Sequence, residues 1–73
     1  MPKLGIFSGK EVCQILETAG FARVRQRGSH IIMQRKLRGV TTTVPVPSHR
    51  TLRIGTLQAI IRQSGVAKDK FLR

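Results

Sequence analysis

The 73-residue sequence predicts an α+β fold in the order α-β-β-β-α, a three-stranded antiparallel sheet with two helices on one face. Two segments, one toward each end, repeat apolar residues at helical spacing. Three segments between them switch to alternating or β-branched patterns and are separated by short glycine-containing turns. Helices with one apolar face need a common surface to cover, and the sheet supplies it, giving two layers around one core. Residues 1–73 read as a single domain, because the length leaves no room for a second.

The first helix opens at Ser8-Gly9-Lys10-Glu11. Ser8 can accept from the amide of Glu11 while the Glu11 carboxylate reaches back to the amide of Ser8, a capping box. Val12, Ile15, Leu16 and Ala19 follow on one helix face, and Gly20 stops the helix, so it spans about residues 9–19. From Phe21 to Arg27 the period becomes two. Phe21, Arg23, Arg25 and Arg27 alternate with Ala22, Val24 and Gln26, which gives a strand with one arginine-rich face. Gly28-Ser29 is a turn, and His30 to Lys36 is the second strand. Leu37-Arg38-Gly39 turns the chain again, and Val40 to Val46, rich in β-branched residues, is the third strand. Pro45 cannot donate to a ladder, so this strand is an edge or ends there. Ile54, Leu57, Ile60 and Ile61 mark the second helix, stopped by Gly65. Val66 and Phe71-Leu72 pack back onto the domain through a short turn or helix at Lys68-Asp69-Lys70.

Fourteen lysines and arginines face three acids, Glu11, Glu17 and Asp69, for a formal net charge of +11. Such an excess calls for a polyanionic partner. No apolar stretch approaches about 18 residues, and no helix gathers its basic residues opposite an aromatic face, so a membrane partner is not expected. The N-terminus lacks the apolar core of a signal peptide, which makes the cytoplasm the expected location. A 40% apolar fraction argues against disorder. Cys13 is alone, which excludes an intramolecular disulfide and leaves it a core residue of the first helix. Two histidines and one cysteine far apart in sequence give no metal site, and three scattered carboxylates offer neither paired-acid chemistry nor a magnesium site. No cofactor is expected.

RNA is the expected polyanion. Arg23, Arg25 and Arg27 on one side of a strand would stand about 6.6–6.8 Å apart, close to the phosphate spacing of an extended nucleic-acid strand. Ser29 in the turn, and Arg35, Lys36 and Arg38 on the next strand and hairpin, widen the patch. The three phenylalanines sit at element edges and suit the core better than base stacking, so recognition leans on phosphate and sugar contacts.

His30 opens the second strand directly after Gly28-Ser29 and has three readings. It is an ordinary half-buried histidine, a residue that stacks on a base or touches a phosphate, or a general acid/base. A neutral imidazole beside a phosphate-binding patch is what a general base for a ribose 2′-hydroxyl requires. The arginines would then stabilise charge developing at the attacked phosphorus. His49, in the loop before the second helix, is a surface residue or a second acid/base.

These blocks, Gly20-Phe21, Arg25 to His30, Thr43 to Pro47, Gly55-Thr56-Leu57 and Ile60 to Gly65, resemble in order the HicA toxin family of bacterial toxin–antitoxin systems. The resemblance covers the chain from about Ser8 to Leu72, and Gly28-Ser29-His30 after a basic strand is its most specific element. It implies a double-stranded-RNA-binding-domain-like fold, a ribosome-independent mRNA interferase that arrests growth, His30 as the catalytic histidine, and a HicB antitoxin that covers the active face. Many members carry a second histidine where this chain has Ile31, and another after the Val-Pro-Val segment, where this chain has Pro47 and then His49. A non-catalytic RNA-binding module of the same fold, or a basic surface for docking an acidic protein, would account for the charge equally well.

Overall fold

A computed structural model describes residues 3–72 of the chain. Met1, Pro2 and Arg73, which the single-domain reading includes, lie outside the described residues. The order is α1 (Gly9–Thr18), β1 (Ala22–Arg27), β2 (His30–Leu37), β3 (Val40–Pro47) and α2 (Ile54–Ser64), followed by a 3-10 turn at Lys68–Phe71. The strands form one antiparallel sheet in the order β1-β2-β3. This is the α-β-β-β-α arrangement that the apolar periodicities predict.

The local causes match the sequence at most points. The Ser8 hydroxyl accepts from the Glu11 amide at 3.1 Å, and the Glu11 carboxylate accepts from the Ser8 amide at 2.9 Å. The helix ends one residue earlier than expected, at Thr18, with Ala19 as its cap. Gly65 closes α2 at a φ of 70°, its N–H donating to the Ile61 carbonyl. Both hairpins have two-residue turns. In Gly28-Ser29, Gly28 has a φ of 57°, the conformation that a tight hairpin asks of glycine at its first central position. β3 is an edge strand, as Pro45 requires, and it continues through Pro47.

Gly9 has a role that the capping box does not reveal. Its N–H donates to the His49 carbonyl at 2.9 Å. A side chain there would run into the Pro47 carbonyl. The start of α1 is therefore docked, backbone against backbone, on the end of β3.

Both helices lie on one side of the sheet. The core between the layers joins Val12 and Leu16 of α1, Ile31 and Met33 of β2, Val44 and Val46 of β3, and Leu57 and Ile60 of α2. All three phenylalanines are buried in it, and Phe7 meets Phe71 edge to face at 6.1 Å. Leu4 bridges Leu72, and the Gly5 amide donates to the Phe71 carbonyl at 2.8 Å, so residues 4–5 and 71–72 pair at the edge of the core.

Two expectations are corrected. The first is the row of three arginines on one face of β1. Arg23 pairs with Met33 and Arg25 with Ile32, so Val24 is an extra residue, a bulge. A bulge shifts the alternation by one. Arg25 and Arg27 share the open face with Ile32 and His30, whereas Arg23 shares the helix side with Met33. Cys13 of α1 gives independent support. Burial pushes its thiol up from the ordinary value, and the nearby Arg23 charge partly opposes the shift.

The second correction is Arg35, expected among the RNA-binding residues. It lies on the helix side of β2. Its Nη1 donates to the Ala19 carbonyl at 3.2 Å and its Nη2 to the Ser64 carbonyl at 3.1 Å. Its guanidinium carbon lies 4.7 Å from the centre of the Phe21 ring. Carbonyls at helix C-termini lack intrahelical donors and carry partial negative charge. One guanidinium, with several donors in a fixed fork, serves both ends at once.

Candidate functional site

The open face of the sheet is built by the even-numbered residues of β2 and their cross-strand partners. His30 stands between Arg27 and Pro47, and Ile32 between Arg25 and Pro45. Gln34 and Lys36 continue the row beside Thr43 and Thr41. Burial of Ile31 and Met33 against the helices fixes the register, and with it the outward placement of His30. His30 is exposed, as are Arg25, Arg27 and Lys36.

A depression of about 570 Å³ opens beside His30, lined by Arg27, Gly28, His30, Ile32 and Pro45. The turn that carries the histidine is held from two sides. The Gln26 side-chain amide donates to the Gly28 carbonyl at 3.0 Å. The Ser48 backbone N–H donates to the Ser29 carbonyl at 2.6 Å. The second bond brings the Pro47–Arg50 loop, with exposed His49, to the end of the sheet where His30 lies.

Of the residues singled out in the sequence, the fold gathers His30, Arg25, Arg27, Ser29 and Lys36 on or beside the open face. His49 reaches the same end by way of the β3–α2 loop. Arg23 and Arg35 lie on the other side. Residues that sequence reasoning did not assign to the site are Gln26, Ser48, Ile32 and Pro45. Gln26 reads in the sequence only as a strand residue opposite the arginines, because nothing in its type signals a turn lock. Among the described residues no group of three or more histidines, cysteines or acids is placed to hold a metal ion.

The family model described as the HicA toxin of bacterial toxin-antitoxin systems matches residues 9–66. The chain belongs to the HicA toxin family. It is the toxin of a toxin–antitoxin system, and its partner is an antitoxin. No curated protein matches it. The segment matched to the HicA family runs from the first residue of α1 to Val66, so it contains the three strands, both histidines and all the basic residues of the open face. Phe7 and Phe71, which pack on each other, lie outside it at either end. No described helix of this HicA chain is long and apolar enough to cross a membrane.

Proposed function

We propose that this HicA-family chain is an endoribonuclease that cuts mRNA without a metal ion or the ribosome, with His30 as its catalytic histidine, and so arrests growth. The observation that carries the reading is the position of His30. It stands exposed on the open face, across the hairpin from Arg27 and at the rim of the depression. Arg25, Arg27 and Lys36 attract the phosphate backbone there, and Ser29 lies in the adjoining turn.

The His30 imidazole takes the proton of a ribose 2′-hydroxyl. The freed oxygen attacks the adjacent phosphorus, the bond to the 5′-oxygen breaks, and a cyclic phosphate and a 5′-hydroxyl end are left. Arg25 and Arg27 stabilise the extra negative charge that the phosphoryl oxygens carry during attack. His49 is the accessory candidate, handing a proton to the departing 5′-oxygen. A HicB-type antitoxin neutralises the toxin by covering this face. The setting is the cytoplasm, where mRNA is available.

The test uses the purified protein, a labelled RNA and EDTA. Cleavage that persists in EDTA, leaves cyclic phosphate ends and stops when the antitoxin is bound supports the reading. Binding of RNA without cleavage would make the chain a non-catalytic RNA-binding module and overturn it.

A further inference from the structure

We propose that the depression beside His30 seats one unpaired base of the RNA, with Ile32 and Pro45 as its floor, so that the substrate is single-stranded at the cut. This rests on the ribonuclease reading above and names its substrate class.

Most of the open face is polar, set with Arg25, Arg27, Gln34, Lys36, Thr41 and Thr43. Within it Ile32 and Pro45 lie directly opposite one another across two strands, and both line the depression. Pro45 presents the exposed part of this pair, and Ile32, 8% exposed, lies beneath it at the bottom of the depression. A site that handled phosphate alone would gain nothing from an apolar pair beside its charged groups. The flat face of a base gains from leaving water against such a floor. The volume of about 570 Å³ also suits a nucleotide, since small-molecule sites fall in the range of roughly 300–1,000 Å³.

Gly28, in the left-handed conformation of the turn, lines the rim with backbone alone. Aromatic platforms usually perform this task in single-strand binders, but all three phenylalanines are buried in the core. The aliphatic floor is what the open face offers instead. A base inside an A-form helix has both faces covered by its neighbours, so only an unstacked base can reach Ile32.

Two measurements on the intact protein test this. In the first, isoleucine methyl resonances are followed by NMR during titration with adenosine 5′-monophosphate and, separately, with ribose 5-phosphate. The Ile32 methyl is expected to shift with the nucleotide and not with the sugar phosphate. In the second, a single abasic ribose is moved through each position of a cleaved single-stranded oligonucleotide. At one position next to the cut, loss of the base should lower kcat/KM about tenfold or more, the scale of removing a base face from an apolar surface. Pro45→Asp should bring that ratio close to one.

Equal responses to both ligands, with no sensitive abasic position, overturn the proposal while leaving the ribonuclease reading intact. No cleavage of any RNA, with Ile32 still responding to the nucleotide alone, removes the ribonuclease reading and supports the base seat. If Pro45→Asp weakens antitoxin binding and leaves the base preference unchanged, the floor seats a protein side chain and the proposal falls.

Discussion

Along β2, neighbouring residues face different layers. Ile31, Met33 and Arg35 look toward the helices, whereas His30, Ile32 and Lys36 look outward. Each side carries basic and apolar groups, yet they do different work. On the inner side the isoleucine and methionine fill the core, and Arg35 spends its donors on two helix-end carbonyls. On the outer side Arg25, Arg27 and Lys36 are exposed, and Ile32 and Pro45 floor a depression beside a histidine. A count of positive charges therefore overstates the binding surface. What decides a cation's task is whether the fold supplies acceptors on its side of the sheet.

Substitutions on the two sides should separate accordingly. The largest effect on the inner side is expected from Arg35→Ala, which leaves two helix-end carbonyls without their donors. Hydrogen bonds to a charged group set the loss at about 2–3 kcal/mol, a fall in Tm of roughly 10 °C or more for a domain of this size. The salt dependence of RNA binding by the folded variant should stay as in the wild type. Thermal unfolding and a salt titration of RNA affinity read the two effects. If the variant keeps its Tm and loses RNA affinity, Arg35 belongs to the outer side after all.

A smaller effect sharpens the contrast on β1. Arg25→Gln and Arg27→Gln should each flatten the plot of log affinity against log salt by about 0.7, the contribution of one phosphate contact to a single strand. Arg23→Gln should leave the slope unchanged, because the bulge at Val24 turns Arg23 to the helix side. Three equal decrements would mean that the arginines act as one row.

Most of the fold can be read from local chemistry. Ser8 and Glu11 announce α1, Gly20 and Gly65 end the helices, and the β-branched run with Pro45 marks an edge strand. What escapes is information held in pairs distant along the chain. Arg35 finds its acceptors at Ala19 and Ser64, 16 and 29 positions away, and no spacing rule foretells that. The bulge is invisible because Arg23-Val24-Arg25 reads as ordinary alternation, and only the partners on β2 reveal the extra residue. The candidate site divides the same way. His30 is recognisable from Gly28-Ser29 before it and the basic strand beside it, whereas its outward face had to wait for the burial of Ile31. Gln26 and Ser48 were missed because turn locks depend on geometry and not on residue type.

The most direct test of the outer face as the working one is the RNA cleavage rate of His30→Ala. The expected result is a loss of about 10²–10⁴-fold, the usual contribution of a general base, with Tm and RNA affinity close to the wild type because the side chain is exposed and lies outside the core. A variant that folds, binds RNA and cuts it at the wild-type rate would contradict the assignment of His30 and, with it, the catalytic role of this face.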